Sequence, residues 1–197
     1  MIDALQLLNL QDDATSAWHE PVENPSYGAV HNSFLAMVLA HHRANYDLWH
    51  AEDEARSPRA SDHDITSVKH RIDELNQRRN DLVEQIDTTL LHAAGQQNAS
   101  ANLHSETPGM MIDRMSILAL KIYHTAEEVH RASADDAHRE RNMQRGVILR
   151  QQRDDLAGCL NQLWLDVHNG MRRFKLYRQM KMYNDPDLNP VLYGNSR

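Results

Sequence analysis

One arginine falls where the sequence pattern predicts an aliphatic side chain. Apolar residues recur three and four positions apart over residues 62–94, as in a buried helix seam, and Arg79 lies on that seam. A buried guanidinium needs a counter-charge, so we predict that Arg79 is buried and paired with a carboxylate or an anionic ligand. A register drift that lets the side chain reach solvent is the alternative. The candidate carboxylates are Glu52, Asp53 and Asp113.

Polar side chains also recur four positions apart on two predicted helices. One set lies beside Arg79 and comprises Asn76, Asn80 and Glu84. The other comprises Asn45, Trp49, Glu52 and Arg56. If the two sets face each other, they would form a pocket for a polyhydroxylated or phosphorylated ligand. An interhelical hydrogen-bond network and a solvated helix face are the structural alternatives.

Thirteen histidines raise the question of a metal site. Glu127 and His130 form a Glu-x-x-His pair, and His50 with Asp53 repeats the spacing with aspartate. A di-iron bundle requires two Glu-x-x-His helices and two further glutamates, and the sequence offers one such pair. We therefore predict no metal and no cofactor, and we interpret the paired residues as exposed helix-face side chains.

Positive charge is concentrated near the carboxy terminus of a chain whose formal net charge is -7. The cations there are Arg172, Arg173, Lys175, Arg178 and Lys181, and we expect Lys121, upstream in the same bundle, to add to them. This asymmetry predicts local anion binding, and a solvated basic helix end is the alternative.

Composition and motifs exclude several classes of protein. The acidic balance, with a pI near 6.0, argues against a nucleic-acid binder. The single cysteine, Cys159, allows no intrachain disulfide, and its spacing from neighbouring leucines predicts a small buried residue. No metal, phosphate-loop or hydrolase motif of the common kinds occurs. No stretch has the length and apolarity of a membrane span or a signal peptide, so we expect a cytoplasmic location.

The elements that must position these residues are helices. We predict them over about residues 3–19, from near Tyr27 to Ser57, over residues 62–94, from Pro108, and over a last segment that includes Phe174 and Tyr177. The sequence thus predicts an all-α fold: an antiparallel bundle of four long helices plus a short N-terminal helix, with an extended C-terminal tail. We assign residues 1–183 to a single bundle domain and residues 184–197 to a tail packing on it.

Four segments resemble a known family: residues 45–53, 75–81 and 106–118, and the tail YRQMKMYNDPDLNP. They are similar to uncharacterised bacterial proteins catalogued as domain of unknown function 4254, and the match covers most of the chain. A shorter pattern is similar to an uncharacterised group associated with bacterial glycan genes. It is matched here by Asp113, Arg114, Ser116 and Lys121. The resemblance implies a helical fold, is compatible with a link to surface-polysaccharide assembly, and supplies no catalytic residues.

Together these patterns give two hypotheses of function. The first is a small enzyme or binding protein for an anionic sugar or nucleotide-sugar metabolite in bacterial surface-glycan synthesis. Glu52, Asp53 and Asp113 are its candidate acids or bases. The ligand-binding candidates are Asn45, Trp49, His50, Asn76, Arg79, Asn80, Arg114, Lys121, Lys175 and Arg178. The second is a non-enzymatic helical partner of a glycosyltransferase, with the basic tail as its docking surface.

Overall fold

The computed structural model describes residues 2–20, 32–180 and 185–194. Its long helices are α1 (Ala4–His19), α2 (Ser33–Ala55), α3 (Asp62–Ala94), α4 (Pro108–His130) and α5 (Asp136–His168). A single turn, α6, covers Pro190–Tyr193. Two short strands, β1 (Asn102–Leu103) and β2 (Arg172–Arg173), pair in parallel. The predicted all-α bundle is therefore confirmed.

Each long helix begins where a short polar side chain caps its first turn. Ser61 and Asp64 form a reciprocal capping box at the start of α3, and Thr107 precedes a proline at the first position of α4. The other caps are Asp3, Asn32 and Asp135. These side chains accept hydrogen bonds from backbone N–H groups that have no partner within the first turn, and they therefore fix where the helices begin.

The bundle is built from two helical hairpins and one added helix. α2 packs along α3, and α4 packs along α5, each pair joined by a short connection. α1 contacts α4, α2 and α5 and closes the main core. The centre of that core includes the fully buried Leu7, Ile86, Ile112, Met115 and Leu160. Among residues 2–20, 32–180 and 185–194, none of the helices has the length and hydropathy of a membrane-spanning segment.

The last long helix ends earlier than the sequence pattern predicted. α5 stops at His168, and Gly170 turns the chain with a φ of 67°. Beyond it, the Phe174 amide donates to Oε1 of Gln97, and the Gln97 amide donates to the Phe174 carbonyl. Phe174 is a core residue, but it reaches the core from a non-helical segment. The prediction of helix through Phe174 and Tyr177 was therefore wrong, because pairing with the loop after α3 replaces the helical hydrogen bonds.

Three further expectations concern Cys159, the beginning of α2 and the C-terminal tail. Cys159 is exposed, because the buried stripe of α5 runs through Leu156 and Leu160 on another face; the prediction of burial was wrong. The start near Tyr27 lies outside the described residues, and α2 begins at Ser33. The tail contains the helical turn α6, and its packing on the bundle stays a prediction.

Candidate functional site

Arg79 has the counter-charge that the sequence required. Its Nε lies 2.7 Å from Oδ1 of Asp113, and Nη2 donates to the other carboxylate oxygen, so the pair is bidentate. Burial is partial, since 24% of the Arg79 side chain remains exposed against 10% for Asp113. The predicted pairing of Arg79 with one of Glu52, Asp53 and Asp113 is confirmed, and Asp113 of α4 is the partner.

Asp113 also joins α2 to this pair. His41 Nε2 lies 2.8 Å from its Oδ1, and the Asn45 amide donates to the same oxygen over 3.0 Å. Burial alone would raise the pKa of Asp113, but hydrogen bonds from Arg79 and His41 outweigh it and hold that pKa below its ordinary value. One carboxylate thus connects three helices, and it remains ionised.

A second polar network lies beside the first and is fully enclosed. His42 Nδ1 lies 2.7 Å from the Ser116 hydroxyl, and His42 Nε2 lies 2.8 Å from Oγ1 of Thr15. The Thr15 hydroxyl donates to the Gln11 carbonyl, so it accepts from His42. Burial, with a smaller effect of His41, lowers the pKa of His42 to about 3. This histidine is a neutral core residue that links α1, α2 and α4.

A cavity of about 350 Å³ lies above the Arg79–Asp113 pair, and several predicted site residues line it. They are Asn45, Trp49, Glu52, Asp53 and Arg79. The α2 set therefore lies beside Arg79, but the α3 set of Asn76, Asn80 and Glu84, which was expected to face it, does not line this cavity. The two cations of the lining are already paired, Arg79 with Asp113 and Arg56 with Glu52. The cavity consequently has no excess of positive charge for an anion.

A larger groove of about 790 Å³ runs between α4 and α5. Its cationic side chains are Lys121, Arg141 and Arg145. Its single carboxylate belongs to Glu128, whose Oε2 lies 2.7 Å from Nε2 of His138. In the described ranges none of the three cations has a carboxylate within ion-pair distance. The Trp49 and His124 rings form part of the lining. This groove, unlike the cavity above Arg79, has a surplus of positive charge.

The other predicted ligand residues lie apart from both sites. Asn76 and Asn80 are half-buried on α3 and do not line the cavity. Arg114 pairs with Glu106 at 2.6 Å on the exposed side of α4. Lys175 and Arg178 are exposed in the segment after β2, and Lys175 lies 5.2 Å from the Tyr177 ring centroid. The expected single pocket combining all of these residues is not formed.

Three histidines from three helices form a cluster that the sequence reasoning did not predict. His19 ends α1, His50 lies on α2 and His124 lies on α4. One ring nitrogen from each can be chosen so that all three lie within 4.8 Å of one another. Only His50 was a site candidate, and its predicted partner Asp53 lies instead on the cavity above Arg79.

Aromatic rings fix the orientation of this histidine cluster. Tyr123 stacks on His19 with centroids 4.1 Å apart, and Trp49 stacks on His124 with an interplanar angle of 7°. Burial, followed by the neighbouring His19 and His124, lowers the pKa of His50. His50 is therefore held in the neutral form in which imidazole can act as a ligand.

Sequence reasoning also missed Arg153, although a signal for it was present. Arg153 lies on α5 between Leu149 and Leu156, so it falls on the apolar seam as Arg79 does on α3. It is buried and forms a bidentate ion pair with Asp12 of α1, with Nη2 2.7 Å from Oδ2. The argument applied to Arg79 predicts this pair equally well.

Fold and site together define an all-α bundle protein with partly buried ion pairs at its helix interfaces and open polar grooves beside them. A family model described as "protein of unknown function (DUF4254)" matches residues 35–176. The chain belongs to this family, and the resemblance read from its sequence is confirmed. No curated protein and no solved structure matches the chain.

Proposed function

We propose that this chain binds a small anionic metabolite in the groove between α4 and α5. The observation that carries the proposal is that three cations of the groove, Lys121, Arg141 and Arg145, have no carboxylate partner among the residues that the structure describes, in a chain that is acidic as a whole. Charge-assisted hydrogen bonds from such groups are strong and suit phosphate or carboxylate oxygens. Lys121 was already an anion-binding candidate from the sequence.

The dimensions and the remaining lining suggest the class of ligand. A volume of about 790 Å³ lies in the range of sites for nucleotides and similar metabolites. Gln144 and Gln152 supply amides that can bond hydroxyl groups, and Trp49 supplies an aromatic face. A sugar phosphate or nucleotide sugar of bacterial surface-glycan synthesis has this chemistry, and it is the ligand class we propose.

A role for Asp113 as a general acid or base is less well supported than a structural one. Its two oxygens accept from Arg79, His41 and Asn45, and its pKa is lowered, so it neither holds nor readily takes up a proton near neutral pH. Glu52 and Asp53 are more accessible, since both line the smaller cavity. If the protein is an enzyme, these two are the carboxylates available to a substrate.

The test is a binding titration with matched double variants. Isothermal titration with a hexose 1-phosphate and a uridine diphosphate hexose should show binding by the wild-type chain. Lys121→Gln/Arg141→Gln should weaken it by at least about tenfold, because each hydrogen bond to a charged group contributes about 1.5–3 kcal/mol.

The control removes the same amount of charge at the alternative basic region. Lys175→Gln/Arg178→Gln should bind as the wild type does, because both residues lie outside the groove. Equal weakening in the two double variants would mean that net charge, rather than the groove, attracts the ligand. Absence of binding by the wild type to every phosphorylated sugar tested would contradict the proposal.

The alternative function, a helical partner of a glycosyltransferase, is favoured by a different observation. Met143, Val147 and Ile148 on α5 are between 46% and 59% exposed, an apolar surface that a protein partner would cover. Met143→Glu/Val147→Glu should disrupt such a complex while leaving sugar-phosphate binding intact, because neither residue lines the groove. Sugar-phosphate binding by a chain that forms no such complex would favour the metabolite-binding function.

A further inference from the structure

The histidine cluster has the composition and connectivity of a metal centre. Its members, His19, His50 and His124, come from three helices that meet at this point. The rings contact one another, with centroids 5.1 Å apart for His19 and His50 and 4.9 Å apart for His19 and His124. Because the three residues are far apart in the sequence, the geometry of a single helix does not account for their proximity.

Each of the three rings has a buried nitrogen without a hydrogen-bond partner. The unpartnered atom is Nε2 in every case. A buried polar atom that pairs with nothing is destabilising by about 1–3 kcal/mol, and such groups are rare in folded proteins. Three of them in one cluster indicate that something outside the described chain satisfies them.

The opposite nitrogens show which tautomer is present in two of the rings. His19 Nδ1 lies 2.8 Å from the Thr15 carbonyl oxygen, which can only accept, so Nδ1 carries the proton. His124 Nδ1 lies 2.6 Å from a carboxylate oxygen of Glu127 and donates to it. In the neutral ring each Nε2 then has a free lone pair. A carbonyl or carboxylate behind the distal nitrogen is the arrangement that orients metal-binding histidines.

We propose that His19, His50 and His124 bind one divalent first-row transition-metal ion through their Nε2 atoms, with Zn²⁺ as the expected occupant. Three imidazoles are a donor set that zinc uses when a fourth position remains for water or substrate. Zinc–nitrogen bonds are about 2.0–2.1 Å long, so the ion would draw the three Nε2 atoms close around it. One ring nitrogen from each histidine already lies within 4.8 Å of one from each of the other two.

A purely structural packing of aromatic and histidine rings is the alternative. The stacking of Tyr123 and Trp49 on two of the rings would serve either arrangement. Ring packing alone does not explain three unpartnered Nε2 atoms, whereas a metal ion pairs all of them at once. The proposal therefore departs from the expectation of no metal, which rested on the single Glu-x-x-His pair. Glu127 does belong to the proposed site, but it supports His124 rather than acting with His130.

The site also lies beside the groove of the proposed function, because His124 lines that groove. The metal proposal does not depend on anion binding, and the two can be tested separately. Lys121→Gln/Arg141→Gln should bind the metal as the wild type does. A chain that binds metal and no sugar phosphate would retain this inference and lose the function proposed above.

The experiment uses the full chain, stripped with a chelator and titrated with Co²⁺ and Zn²⁺. The wild type should take up one ion per chain, give the visible absorption of low-symmetry Co²⁺, and compete with a chromophoric chelator for Zn²⁺. His50→Gln and His124→Gln should lose stoichiometric uptake. His130→Gln, an exposed histidine of the same helix, should behave as the wild type.

Two further measurements keep the test decisive if a histidine variant does not fold. Glu127→Ala removes only the outer hydrogen bond and should weaken metal affinity by about tenfold or more. Nitrogen-15 spectra of histidine in the wild type should show Zn²⁺ shifting three Nε2 signals. Failure of the wild type to bind one ion per chain, or binding that leaves these three signals unchanged, would overturn the proposal.

Discussion

Arg79 of α3 and Asp113 of α4 form a bidentate ion pair at the point where α2 also reaches the carboxylate through His41 and Asn45. The pair therefore fixes the relative positions of three helices with one anion. Breaking a buried pair from one side leaves the other charge desolvated, whereas replacing it with apolar volume is often tolerated. This asymmetry makes the role of Arg79 measurable.

The first prediction concerns two substitutions of Arg79. Arg79→Ala should lower the free energy of unfolding by about 3 kcal/mol, because it leaves Asp113 buried without its main partner. Arg79→Met keeps volume in the interface and should lower it by less. Urea unfolding monitored by circular dichroism gives both values. Arg56→Ala, which breaks an exposed pair with Glu52, is the control and should change the free energy by no more than about 0.5 kcal/mol.

The same variants distinguish a structural pair from a ligand site. If Arg79 also contacts a ligand in the adjacent cavity, Arg79→Met should fold normally and lose binding. If the pair is structural, the folded variant should bind sugar phosphates as the wild type does, because the proposed groove lies elsewhere. Equal stability losses in Arg79→Ala and Arg56→Ala would mean that the pair is not effectively desolvated.

The second prediction concerns the close approach of α3 to the first turn of α4. A Cβ atom at Gly109 would lie 2.8 Å from both the Val83 carbonyl oxygen and Oδ1 of Asp87. Gly109→Ala should therefore destabilise the protein by about 1–3 kcal/mol, since the helices must separate to admit the methyl group. Thermal and urea unfolding measure the effect.

Gly158 on α5 provides the matched control for this substitution. No atom lies within 4 Å of the position that its Cβ would take. Gly158→Ala should stabilise the protein by about 0.5–1 kcal/mol through helix propensity alone. Similar effects of the two substitutions would show that packing at Gly109 is not limiting.

The sequence was sufficient for the features whose causes are local. Ser61, Thr107 and Pro108 are start signals that act within a single turn, so the beginnings of α3 and α4 were predictable. The heptad position of Arg79 required a counter-charge, and the structure provides Asp113. In each case a physical requirement was visible within a few residues of the chain.

The features that were missed depend on contacts between distant segments. The end of α5 is decided by Gln97 and Phe174, which exchange two hydrogen bonds across 77 positions of sequence. The histidine cluster combines residues 19, 50 and 124, and no residue spacing within one helix indicates it. Arg153 differs, because its position on an apolar seam was visible and only its partner, Asp12, was remote.

The last prediction concerns Asp87 of α3, whose carboxylate contacts the beginning of α4. Its carboxylate accepts from the Thr107 hydroxyl and, over 2.6 Å, from the Gly109 amide. Burial nevertheless dominates and raises the pKa of Asp87 to about 6, against an ordinary value of about 3.9. The folded chain then holds a proton that the unfolded chain releases, so this stabilisation is complete below about pH 3.9 and is lost as the pH rises through 6. Asp87→Asn removes this titration, and its free energy of unfolding should rise between pH 4 and pH 7 by roughly 2 kcal/mol more than that of the wild type. Urea unfolding of both proteins at the two pH values measures the difference, and parallel pH dependences would show that Asp87 titrates normally in the folded chain.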